Sequence, residues 1–274
     1  MKILMIGHGM VGHKFIESVL EQAGDDIELT ILAEEPHLAY DRVHLTEYFS
    51  GKSVKDLSLC RSDFADAYGI DLRLNTKAVE IDQLHKTVTT SQGDVLSFDK
   101  LILATGSYAF VPPIPGNDRQ NCFVYRTIED LDAIRAASLN AKTGVVIGGG
   151  LLGLEAAKAL RDLNLETHVV EFAPRLMAVQ IDDLGGRVLR SKIEDLGVKV
   201  HTQKATSSIE DGDSTQHVMK FGDGSVLETD IILFSAGIRP RDELARQSGL
   251  LIGERGGIII NDYCQTSHPD IYAI

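Results

Sequence analysis

A glycine fingerprint occurs twice in this chain, each time directly after a short apolar run. Gly7-His8-Gly9-Met10-Val11-Gly12 follows residues 3–6, and Gly148-Gly149-Gly150-Leu151-Leu152-Gly153 follows residues 145–147. Between a strand and a helix, the first glycine of such a motif permits the tight turn. The second lets backbone approach a pyrophosphate, and the third allows close helix–strand packing. The helix N-terminus adds free N–H groups and positive potential. Gly7, Gly9, Met10, Val11 and Gly12 are therefore candidate contacts of one dinucleotide, and Gly148, Gly150, Leu151, Leu152 and Gly153 of another. Two dinucleotides in one chain point to electron transfer between them.

Each turn is followed, about 20 residues on, by a strand that ends in a carboxylate suited to a ribose diol. The predicted strand 167–170 ends at Glu171, and the predicted strand 27–33 ends at Glu34 and Glu35, with the choice between the two open. The loop insertion Ala23-Gly24-Asp25-Asp26 accounts for the longer first offset.

A longer repeat runs beneath the fingerprints. Residues 98–106, ending in Ala104-Thr105-Gly106, are echoed by residues 228–237, ending in Ser235-Ala236-Gly237. Each reads as a buried strand running into a small-residue turn. Before the first lie β-branched stretches at 77–82, 86–91 and 94–98, a predicted meander; before the second, 217–221 and 225–228 flank Gly222-Asp223-Gly224. The pattern predicts an α/β chain built as two Rossmann-like domains, each with three layers: helices, a parallel central sheet and a β-meander.

Composition narrows the class further. Hydrophobic residues make up 43% of the 274 residues, and no apolar run reaches the ~18 needed to span a bilayer. A soluble cytoplasmic protein is expected, without a membrane partner. The net charge of −13 argues against nucleic acid, which wants a basic patch. Cys60, Cys122 and Cys264 are far apart with no Cys-x-x-Cys, so neither a metal site nor a disulfide framework is expected. Of the nine histidines, only His8 lies in a predicted cofactor turn. No Ser-His-Asp or Cys-His arrangement suggests a catalytic nucleophile.

The paired fingerprints, Ala104-Thr105-Gly106 and Ser235-Ala236-Gly237-Ile238-Arg239-Pro240 resemble the flavoprotein family of pyridine nucleotide-dependent reductases. Glu35-Pro36-His37-Leu38-Ala39-Tyr40-Asp41-Arg42 and Tyr125-Arg126-Thr127-Ile128-Glu129-Asp130 resemble its ferredoxin and rubredoxin reductase branch. The runs 39–45, 171–174 and 267–274 are similar, more narrowly, to the flavin module of NADH-dependent nitrite reductase large subunits. The resemblance implies an FAD domain at 1–112 and 240–274, with an NAD domain at 113–239 inserted in it. Pro112-Pro113-Ile114-Pro115 and Arg239-Pro240 would be the stiff connectors.

It also implies roles. FAD would be held by the first glycine turn, by Glu34 or Glu35, by Arg42 near its phosphates, and by Ala104, Thr105 and Gly106; Arg126 would approach the flavin. NADH would be held by the second glycine turn and Glu171, with Gly237 lining the crevice. Ferredoxin reductases commonly carry a lysine near the flavin, paired with a glutamate after the second fingerprint. Here Glu155 remains, but Glu47 stands at the lysine position. No cysteine occurs in residues 40–50, so the thiol relay of disulfide reductases is absent and electrons must leave to an acceptor outside the chain.

The acceptor implied is an iron–sulfur and siroheme centre further along a nitrite reductase of nitrate assimilation. The alternatives are an electron carrier protein, as for a ferredoxin or rubredoxin reductase, and a non-catalytic redox sensor. Glu171 disfavours NADPH because its carboxylate would repel a 2′-phosphate, although Arg175 could swing in. The resemblance continues past Ile274 with a glycine and an acid against the ribityl chain. The chain is thus expected to be a fragment that holds FAD weakly and self-associates as a homo-oligomer through exposed apolar surface.

Overall fold

The runs 3–6 and 101–103 are apolar throughout, which suits strands buried on both faces of a parallel sheet rather than at a surface. A computed structural model describes residues 1–22 and 26–274 of the chain. Of the loop insertion read at 23–26, residues 23–25 lie outside the described residues.

The chain divides into two units. The first is Met1–Val43, Val54–Tyr108 and Arg239–Ile274; the second is His44–Ser53 and Ala109–Ile238. In the first, five strands form a sheet in the spatial order Ile271–Ala273, Lys100–Leu103, Lys2–Ile6, Glu28–Leu32, Asp71–Arg73. All four junctions are parallel, with Ile3 opposite Leu29 on one side and Leu4 opposite Leu101 on the other. One face packs Ile3, Met5 and Ile31 against Ile16 of the helix Met10–Gln22 and Phe64 of the short helix Phe64–Tyr68. The other face packs Leu4, Leu32 and Leu101 against Ile81 and Val88 of an antiparallel meander, Ala78–Asp82, Thr87–Thr90 and Val95–Ser97.

The second unit repeats the plan. Its sheet runs Val198–His201, Glu166–Val170, Thr143–Ile147, Ile231–Phe234, Cys122–Val124, again all parallel. The meander Thr206–Asp211, His217–Phe221 and Val226–Thr229 covers one face through Ile209, Met219 and Phe221. On the helices, Leu131, Ile134, Ala156 and Leu160 are buried. The two-copy, three-layer α/β architecture is thus the one the repeat predicts. The strand at Thr206–Asp211 carries no sequence signal, because Ile209 is its only apolar residue.

The unit limits differ from the predicted domain limits at both crossings and in one segment. The crossings fall at 108–109 and 238–239, rather than at 112–113 and 239–240. The segment His44–Ser53, read from the sequence as part of the first domain, groups with the second unit. Its side chains explain why. The Tyr48 hydroxyl donates to Asp132, the Arg135 guanidinium donates to the Tyr48 carbonyl and lies 4.1 Å from its ring, and Ser50 donates to Asp162 at 3.2 Å. All three partners sit on helices of the second unit, Ile128–Ser138 and Leu151–Asp162.

Candidate dinucleotide sites

Both glycine turns sit at the C-terminal end of a central strand, where the chain leaves for a helix. Gly7 has φ +105°, and a Cβ there would lie 2.2 Å from the carbonyl oxygen of Ala104. Gly148 has φ +123°, and its Cβ would lie 2.2 Å from the carbonyl oxygen of Ser235. Each small-residue turn therefore passes directly beside its glycine turn, which is what the 98–106 and 228–237 repeat encodes. The third glycines are equally constrained, with a Cβ at Gly12 meeting the Gly7 oxygen at 2.9 Å and one at Gly153 meeting the Gly148 oxygen at 1.9 Å. Gly9 and Gly150 differ, since a Cβ at either would meet nothing within 4 Å among the described residues. Bare backbone facing open space at the middle glycine is the surface a pyrophosphate requires.

The helix N-termini complete the cradle. Gly150 is the N-cap of Leu151–Asp162 and supplies no side-chain cap, and neither this helix nor Met10–Gln22 has an acidic residue in its first turn. The positive potential there is uncompensated. Val11 and Leu152, at matching positions of the two turns, are 61% and 41% exposed; Leu151 is also exposed and Met10 half-buried. The residues present fit a dinucleotide at each turn.

The acidic partners behave differently in the two copies. The Glu171 carboxylate folds over the second turn and accepts from the N–H of Gly149 at 2.5 Å and of Ala173 at 2.7 Å. At the first turn, Glu35 accepts from the Tyr40 hydroxyl at 2.6 Å and pairs with Arg42, whose guanidinium lies 4.7 Å from the Tyr40 ring centre. Glu34 pairs with Arg241 at 2.5 Å and Lys77 at 3.3 Å. Burial works to raise the Glu34 pKa, but Arg241 and Lys77 together hold it below the ordinary carboxylate value. Sequence spacing missed Tyr40, Lys77 and Arg241 as partners, because they come from loops outside the named strands. Thr105 donates to the Arg241 carbonyl at 2.8 Å, and the Gly106 carbonyl accepts from the Arg241 N–H at 2.9 Å.

The remaining candidates lie in the second unit. Arg126 is half-buried just before Thr127, the N-cap of Ile128–Ser138. The Asp130 carboxylate accepts from the backbone N–H of Arg126 and of Thr127 at 3.0 and 2.8 Å. Glu155 projects from Leu151–Asp162, its pKa raised by burial against an opposing pull from His44. Burial pushes the Tyr125 phenol up to about 12, and its oxygen lies 3.1 Å from the Thr46 hydroxyl. Gly237 has φ +116°, with no atom close to where a Cβ would stand. Arg175 is not free to swing. Its guanidinium donates to the carbonyls of Ile181 and Ala178 and pairs with Asp183 at 2.7 Å.

Two repeated units, each with a fingerprint turn at the C-terminal ends of parallel strands, define a two-dinucleotide oxidoreductase fold. The chain belongs to the pyridine nucleotide-disulphide oxidoreductase family, whose model matches residues 1–274. It is 54% identical to the nitrite reductase (NADH) large subunit of Escherichia coli, a match that covers 100% of this chain and 32% of that protein. It is 37% identical to the assimilatory nitrate reductase electron transfer subunit of Bacillus subtilis, covering 100% of this chain and 35% of the relative. Among solved structures it superposes on a NAD-dependent persulfide reductase from A. fulgidus with TM-score 0.93 at 29% identity, covering 100% of this chain and 52% of that one. A ferredoxin reductase from Rhodopseudomonas palustris matches with TM-score 0.91 at 28% identity, covering 100% and 67%. The chain spans about a third of the length of the curated relatives named here. Among the described residues no helix is long and apolar enough to cross a membrane.

Proposed function

We propose that this chain is the electron-input part of an NADH-dependent nitrite reductase, with NADH bound by the second unit and FAD by the first. When bound, the flavin supplies the step from a two-electron hydride donor to one-electron carriers. The chain's own residues bind and orient. The arrangement at Glu171 carries the reading: a carboxylate fixed over an uncapped glycine turn presents acceptors to the adenosine ribose diol and repels a 2′-phosphate. Arg175, occupied by Ile181, Ala178 and Asp183, leaves that repulsion unrelieved. In the first unit Glu35, fixed by Tyr40 and paired with Arg42, is the better-organised partner for the FAD ribose, and Arg42 stands beside it for the phosphates. Glu34 serves the fold through Lys77 and Arg241.

Electrons leave to an iron–sulfur and siroheme centre or to a separate electron carrier. The E. coli and B. subtilis relatives, named for nitrite reduction and for nitrate assimilation, support that destination. A cytoplasmic setting goes with an NADH donor and with cysteines that are all unpaired. The test is a titration of the flavin-loaded protein with NADH and NADPH, followed by stopped-flow flavin absorbance. We expect NADH to bind tighter and bleach the flavin, and Glu171→Gln to weaken NADH by about 1–3 kcal/mol. Equal affinities for the two nucleotides, or a flavin unchanged by NADH, would overturn the assignment.

A further inference from the structure

The cysteine spacing in the sequence suggests no metal site, yet folding gathers three donor side chains beneath the first glycine turn. His8 lies between Gly7 and Gly9, His13 follows on the helix Met10–Gln22, and Cys60 comes from the loop ahead of Phe64–Tyr68. One donor atom from each lies within 4.8 Å of the other two. His8 and His13 are 8% and 4% exposed. Among the described residues, neither ring nitrogen of His8 has a hydrogen-bond partner, nor does Nδ1 of His13. Bare buried imidazole nitrogens are costly unless something satisfies them. The cluster is also walled off on one side, because the Phe64 ring centre lies 5.0 Å from that of His13 and 6.4 Å from that of His8.

We propose that His8, His13 and Cys60 bind one zinc-type divalent cation. Two imidazole nitrogens and one thiolate sulfur form a borderline-soft donor set, which suits Zn2+ and rejects Ca2+ and Mg2+. A cysteine ligates as the thiolate, so the ion displaces the Cys60 proton and binding releases one H+ per chain. Donor atoms around tetrahedral zinc stand roughly 3.3–3.6 Å apart, a contraction that side-chain rotation can supply.

The supporting shell is present. His13 Nε2 lies 3.6 Å from the Glu17 carboxylate, the pairing that orients an imidazole whose other nitrogen carries a metal. The Ser58 hydroxyl donates to the Cys60 carbonyl at 2.8 Å, and the Leu59 N–H donates to Ala39 at 2.8 Å, fixing the backbone on which the thiol hangs. With three protein ligands, the fourth position falls to water. The ion would clasp the glycine turn, its helix and the Cys60 loop of one unit together. The inference does not depend on which nucleotide that turn holds.

The experiment uses the full chain, stripped with chelator and then titrated with Co2+ and Zn2+. We expect one Co2+ per chain, with sulfur-to-cobalt charge transfer in the near ultraviolet and intense tetrahedral bands in the visible, both abolished by Zn2+. Zinc should also slow alkylation of Cys60, read by mass spectrometry, while Cys122 and Cys264 react as before. Cys60→Ser and His8→Asn should each cut zinc affinity by more than about 100-fold, beyond the roughly 10–100-fold that loss of a merely supporting residue gives. Circular dichroism of each variant reports whether it has folded. The charge-transfer band and the thiol protection need no variant at all. Cobalt spectra without a sulfur band, equal alkylation of Cys60 with and without zinc, or unchanged zinc affinity in folded Cys60→Ser would each overturn the proposal.

Discussion

At the level of single residues, the glycines separate by what a methyl group would meet. At Gly150 it would enter open space, whereas at Gly153 it would stand 1.9 Å from the Gly148 carbonyl oxygen. Gly150→Ala should therefore fold, losing no more than about 1 kcal/mol at the helix N-cap, yet weaken NADH by more than about tenfold because the methyl occupies the pyrophosphate's approach. Gly153→Ala should cost about 1–3 kcal/mol or more, since backbone rather than a flexible side chain must move. Urea unfolding together with an NADH titration separates the two effects. Wild-type affinity in Gly150→Ala would remove the pyrophosphate from that turn. The backbone geometry of these turns was legible in the sequence because motif spacing encodes it. Arg175 was not, because whether an arginine can swing depends on Ile181, Ala178 and Asp183, which spacing does not reveal.

Elements were legible in proportion to their local signals. The helix Ile128–Ser138 announces itself with Thr127 and an acidic first turn, and folding makes this a reciprocal capping box. The Thr127 hydroxyl accepts from the Asp130 N–H at 3.3 Å, while the Asp130 carboxylate accepts from the Thr127 N–H at 2.8 Å. Thr127→Ala should lower stability by about 1 kcal/mol, and Thr127→Ser should restore most of it, measured by thermal melting of the metal-free protein. Equal melting of Thr127→Ala and wild type would mean that packing of Ile128, Leu131 and Ile134 alone holds the helix start. The segment His44–Ser53 had no comparable signal. Its place is set by Tyr48 and Ser50 reaching Asp132 and Asp162, partners more than eighty residues away in sequence. Thr206–Asp211 was silent for a different reason: it needs only Ile209 for the core, because Met219 and Phe221 of the next strand supply the rest.

Across the whole molecule, the net charge says little about acid stability, which depends on buried histidines. In the second unit His168 and His201 stack with ring centres 5.2 Å apart, and their facing nitrogens are 3.0 Å apart. Burial lowers the pKa of both. Glu166 opposes the shift at His168, while His168, Lys204, Arg190 and Lys199 reinforce it at His201. His217, 0% exposed, is lowered mainly by burial as well. A lowered folded-state pKa means that the unfolded chain takes up protons first as the pH falls through 6.5. The stability these rings contribute is therefore complete above pH 6.5 and is lost progressively below it. His8 and His13 act in the same direction in the first unit when no metal is bound. Asp270 belongs to a different window. Lys100 and Lys86 hold its pKa down to about 2, so its contribution persists well below the histidine range. We therefore expect the metal-free protein to lose stability between pH 6.5 and 5, before carboxylates protonate, with His217→Gln flattening that limb and leaving the acid limb below pH 4 unchanged. Urea midpoints measured across this range decide the matter, and a wild-type midpoint flat from pH 7 down to 5 would show that these imidazoles gain protons as readily folded as unfolded.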